Sequence, residues 1–373
     1  MIGTDTLLGE LDRRGFDFFT GVPCSYLAGP IAALSAAGRY RPAANEGAAL
    51  ALAAGAVTGG RRAAVLMQNS GFGNLINPLT SLIMPYRIPV LVLMTLRGWP
   101  DPDGDEPQHR VMGLTTHGLL DLVGVRHWTL SSEDIDVAQP LKAADEELAE
   151  GRPAVLLVAK GAVANTEVPS GAPDAGPAAQ VLPGTGEAVA AVLDAFPGAL
   201  FVSTTGYASR HLFAQGDSPR CFYMQGSMGH ASAFALGVAD AARDERVVLI
   251  DGDGAALMHL GSMATIGTAR PPGLVHVLLD NGTYESTGGQ RTTTAEVDFA
   301  GTAGALGYRH AVTCRGREES RRALREAARR EGPVLVVVKT SAGAGPVPPR
   351  ATAAMAAADI RARFAAAVAG RPG

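Results

Sequence analysis

The sequence predicts an α/β protein of two domains, each a mainly parallel sheet with helices on both faces. Three observations predict it. The chain has 373 residues, where about 150 is usual for one domain. Short continuous apolar runs recur along it, separated by Ala-rich segments with helical potential. Residues 165–186 (NTEVPSGAPDAGPAAQVLPGTG) carry neither a strand nor a helix period and divide the chain into halves of similar size.

In chain order the apolar runs are 16–20, 63–67, 89–96 and 154–159 in the first half, then 199–203, 247–250, 274–279 and 334–338 in the second. Runs apolar on both faces are what parallel strands require when helices cover the sheet. Between them, segments such as 46–60 and 230–242 are rich in Ala and Gly and suit close packing. Alternation of the two kinds gives α/β architecture. The domains are expected at 1–165 and 187–373, with 166–186 as linker. No sequence repeat relates the halves. Ligands of open parallel sheets gather beyond the carboxyl ends of the strands, so the informative residues should follow the apolar runs.

Composition narrows the function. Hydrophobic residues make up 47% and charged residues 18%, an ordinary globular balance, and the net charge is −4. There is no basic footprint for nucleic acid or an anionic membrane. Cys24, Cys221 and Cys314 are far apart with no CxxC pair, which argues against a disulfide framework and fits a reducing cytoplasm. The N-terminus lacks a secretory pattern. The best apolar run, 88–96, is broken by Pro89 and is about half the roughly 20 residues of a spanning helix.

The strongest chemical signal is RVVLIDGDGAALMHLGSMATIG, a strand, an acidic glycine turn and a helix. Glycine lets backbone approach a phosphate, and the helix N-terminus favours its charge. Two carboxylates there would repel a bare diphosphate, so the turn makes sense with a divalent cation between them. The next run, LVHVLLDNGTYES, ends on Asn281 at the same sheet edge. Asp253, the Asn281 amide oxygen and a carbonyl nearby, with Thr283 as the third residue, would supply hard oxygens suited to Mg²⁺. Two ordinary βα turns are the other reading of this spacing. No GxGxxG opens a helix after a strand, which disfavours a nicotinamide enzyme.

GDG after one strand and Asn after the next resembles the thiamine diphosphate enzymes. The resemblance assigns thiamine diphosphate and Mg²⁺ as cofactors. It makes 1–165 the pyrimidine-binding domain and 187–373 the diphosphate- and metal-binding domain. Gly252, Asp253, Gly254, Ala255, Asn281, Thr283, Thr205 and Gly206 become cofactor-binding residues, and Asp253, Asn281 and Thr283 the metal set. In QGSMG, Gly226 is expected to offer its carbonyl to the cofactor's amino group and Met228 to wedge between its rings. A buried methionine is as readily plain core. In ANEG, Glu46 is expected to hydrogen-bond the aminopyrimidine, its pKa raised by burial. A glutamate at a helix start is otherwise a solvated charge.

Further stretches, GVPCSYL (21–27), NEGAA (45–49), QNSGFGN (68–74), NPLTSL (77–82), DEPQH (105–109), STTGYASR (203–210) and YESTGGQ (284–290), resemble the phosphonopyruvate decarboxylase family across both halves. This implies a lyase converting 3-phosphonopyruvate to phosphonoacetaldehyde and CO2 in phosphonate biosynthesis, antibiotic-forming pathways included. Sulfopyruvate decarboxylase, or another 2-oxo acid decarboxylase or synthase of the same cofactor, is the alternative. Ser25, Gln68, Asn69 and Arg97 are expected at the substrate, with Arg97 on the phosphonate and Arg291 a second candidate. Ser25 fits a turn hydroxyl equally, and Arg97 a surface ion pair. His109, in a Pro/Gly/Asp-rich loop that would serve as a lid, is expected to bind phosphonate or transfer a proton; a solvated loop histidine is the alternative. The resemblance also implies a homo-oligomer, at least a dimer, with active sites at the interface.

Overall fold

The protein was analysed as a computed structural model, which describes residues 1–164, 182–343 and 346–370. The chain forms two compact units, 1–171 and 172–373. Of the expected linker, residues 166–181 lie outside the described residues, and Thr185 already opens a helix.

The first unit has strands β1 Phe18–Gly21, β2 Tyr40–Pro42, β3 Ala63–Gln68, β4 Leu91–Thr95, β5 Arg126–Leu130 and β6 Ala154–Val158. Its helices are α1 Thr4–Arg13, α2 Ala28–Ala36, α3 Glu46–Thr58, α4 Phe72–Pro78, α5 Arg110–Val123 and α6 Ala138–Ala149. The strands are all parallel, in the order β2-β1-β3-β4-β6-β5. Within β3, Ala64 and Leu66 face one layer with Leu11, Ile31 and Leu141, while Val65 and Met67 face the other with Leu50, Leu75 and Leu120. That two-sided burial is why the run reads as continuously apolar, and each fully buried Leu or Val contributes about 1.5–3 kcal/mol.

The second unit has β7 Leu200–Ser203, β8 Cys221–Tyr223, β9 Val247–Gly252, β10 Leu274–Asp280, the small hairpin β11 Thr283–Tyr284 and β12 Gln290–Arg291, then β13 His310–Cys314 and β14 Val334–Lys339. Its helices are α7 Thr185–Ala195, α8 Tyr207–Gly216, α9 Ala231–Ala241, α10 Asp253–Met258, α11 Gly261–Ala269, α12 Phe299–Ala305, α13 Arg317–Ala327 and α14 Ala357–Val368. The main sheet runs β13-β14-β10-β9-β7-β8, again all parallel. Read from its other edge it is β8-β7-β9-β10-β14-β13, the same winding as the first sheet. The halves share a fold although their sequences show no repeat. Helices cover both faces here too, with Val189, Leu212 and Leu324 on one side and Ala235, Ile266 and Phe299 on the other.

All eight predicted strands form. Four further strands, β2, β5, β8 and β13, lie at the edges of the two main sheets. They are short and partly exposed, so they lack the apolar run that marks a covered strand. Among the described residues, no helix is long and apolar enough to cross a membrane.

Candidate active site

Each main sheet reverses its winding between two central strands, β1 and β3 in the first and β7 and β9 in the second. The space beyond such a switch point is where open α/β sheets take ligands. The expected site residues follow these strands or their neighbours. Gln68 ends β3 and Asn69 follows it, and Arg97 lies just beyond β4; Thr205 follows β7, Asp253 follows β9 and Asn281 follows β10.

In the first unit, Glu46 is the first residue of α3, which Asn45 caps by accepting a hydrogen bond from the Ala48 amide at 2.9 Å. Glu46 is only 5% exposed. Its Oε2 accepts from Nδ2 of Asn74 at 2.8 Å. Gly71 closes against the carboxyl so tightly that a Cβ there would stand 2.2 Å from it. Burial pushes the Glu46 pKa up, with the Asn74 hydrogen bond opposing. A carboxyl whose pKa is raised by burial is suited to a hydrogen bond with a ring nitrogen.

A second cluster forms around Asp105. Arg97 donates to it from Nε at 2.7 Å and from Nη2 at 2.5 Å. The Gly98 and Glu106 amides donate at 2.9 and 2.7 Å, and His109 Nδ1 lies 3.0 Å away. The Arg97 guanidinium lies over the ring of Tyr26, 5.0 Å from its centroid. The hydrogen bonds from Arg97, His109 and Gly98 outweigh burial and hold the Asp105 carboxyl well below the usual range. His109 is buried, which pushes its pKa down, and the Arg97 charge adds to this. Its Nε2 stands 3.5 Å from Nε2 of Gln68, which donates to Ser70 Oγ at 2.6 Å. Arg97 is therefore a part-buried ion pair, its Nε–Nη2 edge engaged by Asp105. Asn69 is buried and braces Arg97 from behind. It donates to the Arg97 carbonyl at 3.0 Å and accepts from the Arg97 amide at 3.1 Å, and its Nδ2 also reaches Thr116 at 3.3 Å. Ser25 opens a single 3-10 turn after β1 and is half-buried.

In the second unit, Asp253 starts α10 and is 3% exposed. Its Oδ2 accepts from the hydroxyls of Thr292 and Thr294, each at 2.7 Å. Burial pushes its pKa up to about 6, and the charge of Asp280 adds to this against the threonine hydrogen bonds. Gly254 follows where a Cβ would stand 2.5 Å from the Tyr284 ring, so the β11 hairpin packs directly on the turn. The register places Leu279 opposite Gly252, which brings Asn281 to the same edge as Asp253. Asn281 Oδ1 accepts from the Thr283 amide at 2.9 Å, and its Nδ2 donates to Glu285 at 3.0 Å. The Thr283 hydroxyl is buried with no hydrogen-bond partner among the described residues.

Carboxylate, amide oxygen and an orphaned hydroxyl are the donors a hard divalent cation takes. No group of three His, Cys, Asp or Glu with metal-binding geometry exists among the described residues, so a metal here would rest on this mixed oxygen set. Thr205 donates to the Gln225 carbonyl at 2.8 Å, which ties the Gly206 turn to the segment carrying Gly226 and Met228. Met228 is half-buried rather than core, and Ala255 is buried behind the turn. Arg291 is exposed on β12.

Sequence reasoning missed Asp105, Asn74, Thr292 and Thr294 as partners. Asp105 and Asn74 sat inside quoted motifs, DEPQH and QNSGFGN, and the i,i+4 spacing of Asp105 and His109 was the available signal.

Residues 203–338 match the family model described as thiamine pyrophosphate enzyme, C-terminal TPP binding domain. The chain is 42% identical over 351 residues to the phosphonopyruvate decarboxylase of Streptomyces viridochromogenes, covering 90% of this chain and 88% of that one. It is 40% identical over 353 residues to that of Streptomyces hygroscopicus, covering 90% and 87%. Identity to the sulfopyruvate decarboxylase of Methanosarcina acetivorans is 26% over 327 residues, covering 83% of each. With both halves aligned to such relatives and the cofactor motif in place, the chain belongs to the phosphonopyruvate decarboxylase family of thiamine diphosphate-dependent enzymes.

Proposed function

We propose that this protein decarboxylates 3-phosphonopyruvate to phosphonoacetaldehyde and CO2, as a thiamine diphosphate- and Mg²⁺-dependent lyase of cytoplasmic phosphonate biosynthesis, antibiotic pathways included. The observation that carries the reading is identity of 42% across 90% of the chain to a phosphonopyruvate decarboxylase, against 26% to an undivided sulfopyruvate decarboxylase.

Thiamine diphosphate, when bound, supplies the electron sink for loss of CO2. The chain's own residues supply binding, orientation and proton control. Asp253, Asn281 and Thr283 would hold Mg²⁺ and through it the diphosphate. Gly252, Gly254 and Ala255 set the backbone at the start of α10, beside Thr205 and Gly206. Gly226 would offer its carbonyl to the amino group and Met228 its side chain to the ring junction. Glu46 holds a proton at its buried carboxyl, with Asn74 fixing Oε2. His109 takes or gives a proton at Nε2. Ser25 and Gln68 are placed to hydrogen-bond the 2-oxo acid. We further propose a homo-oligomer, at least a dimer, with active sites at its interface.

The test is release of CO2 from phosphonopyruvate, sulfopyruvate and pyruvate with cofactor and Mg²⁺ present. The reading expects the highest kcat/KM on phosphonopyruvate. A preference for sulfopyruvate would move the protein to the sulfonate enzymes, and cofactor binding without CO2 release from any of the three would overturn catalysis.

A further inference from the structure

We propose that Arg97 and Asp105 are positioning residues. Together they clamp His109 as the tautomer protonated at Nδ1, so that Nε2 is the proton-accepting atom. This rests on the reading of His109 as the residue that transfers a proton.

Asp105 is the hub of the cluster. One side chain meets five donors: Arg97 Nε and Nη2, the Gly98 and Glu106 amides, and His109 Nδ1. A carboxylate so surrounded stays ionised, and an ionised carboxylate only accepts. Nδ1 of His109 must therefore carry the hydrogen. Burial and the nearby Arg97 charge keep the ring neutral near pH 7. The remaining nitrogen, Nε2, then holds a lone pair. The group facing it is the Gln68 amide nitrogen at 3.5 Å, a donor, which agrees with that assignment.

Arg97 is held at every level. Its Nε–Nη2 edge is engaged by Asp105, its guanidinium lies over Tyr26, and its backbone is gripped on both sides by Asn69. An incoming dianion that drew this edge of the guanidinium away would leave a part-buried carboxylate short of its cation. The chain instead uses its guanidinium to fix the carboxylate that fixes the imidazole. This three-part relay accounts for the DEPQH segment, since Asp105 and His109 are one turn apart and Glu106 supplies a further amide to the carboxylate.

The test combines imidazole nitrogen NMR with steady-state kinetics on the cofactor-loaded enzyme. Wild type is expected to show His109 protonated at Nδ1 and bare at Nε2. Asp105→Asn replaces an acceptor oxygen by a donor, so it should lose that signature. Its kcat should fall about a hundredfold, the scale of a lost general acid–base group, with KM little changed. Arg97→Lys keeps the cation but loses the fork; it should lower kcat, hold KM and partly restore the signature relative to Asp105→Asn. If Asp105→Asn does not fold, Arg97→Lys alone decides. A KM for phosphonopyruvate raised about tenfold at unchanged kcat would return Arg97 to anion binding. Wild-type His109 protonated at Nε2 would overturn the clamp. The nitrogen spectrum needs no turnover, so an enzyme inactive on phosphonopyruvate would sink the functional reading while still deciding the clamp.

Discussion

Replacing Gly71 by alanine tests whether the placement of Glu46 governs turnover. The Gly71 backbone, at φ −86° and ψ 0°, accepts an alanine without strain, so the effect is steric. The new Cβ would stand 2.2 Å from the Glu46 carboxyl carbon and Oε1 and 2.5 Å from Cγ. Ordinary contact begins near 3.4 Å, so the carboxyl must move by about 1.2 Å. It has little room, being 5% exposed and tied to Asn74 at 2.8 Å. Loss of that hydrogen bond costs about 1–2 kcal/mol. In a unit of 171 residues, this lowers Tm by about 2–8 °C. Turnover should suffer more, since displacing a reacting group by about 1 Å can cost about a hundredfold. Gly73, two residues on, has nothing within 4 Å of its Cβ position. Gly73→Ala lies in α4 and should keep activity while gaining up to about 1 kcal/mol from helix propensity. The assay pairs kcat for phosphonopyruvate with calorimetric Tm and cofactor binding for both variants. A Gly71→Ala enzyme with wild-type kcat, or equal losses in the two variants, would refute the reasoning.

Three more outcomes are expected. Glu46→Gln should fold and bind cofactor yet lose most turnover. Because burial raises the folded-state pKa of Glu46, the unfolded chain ionises first as pH rises, and wild type loses stability over that window. The Tm advantage of Glu46→Gln should therefore grow as pH rises above about 4, and a pH-independent difference would remove burial as the cause. Asp253→Ala should lose Mg²⁺-dependent cofactor retention, read by calorimetric titration; unchanged affinity would dismiss Asp253 as the metal anchor. Mixing inactive Glu46→Gln with inactive Asp253→Ala chains should restore some activity after verified subunit exchange, and its failure to do so would argue against sites shared between chains.

The sequence alone determined the parts of the fold that burial dictates. The eight central strands are covered on both faces, so each must be apolar throughout and shows as a run. Edge strands β2, β5, β8 and β13 face solvent along part of their length, and short mixed segments such as Tyr40–Pro42 look like loop until a neighbour pairs with them. The common winding of the two sheets was also hidden. Helix and strand faces need only the right period and volume, so two copies of one topology can share no visible repeat. At the candidate site, Glu46, Asp253, Asn281 and His109 were legible because each stands in a short motif after a strand or within a turn.

Their partners were decided by tertiary structure. Asn74 reaches Glu46 across 28 residues, and Thr292 and Thr294 reach Asp253 across 39 and 41. Arg97 reads from sequence as a cation after a strand, for the phosphonate or for an unnamed ion-pair partner. Only folding brings Asp105 back over it, where the part-buried guanidinium and carboxylate each offset the desolvation cost of the other. Hydrogen bonds between distant segments leave no periodic trace, so what each reactive group touches was settled by the folded chain.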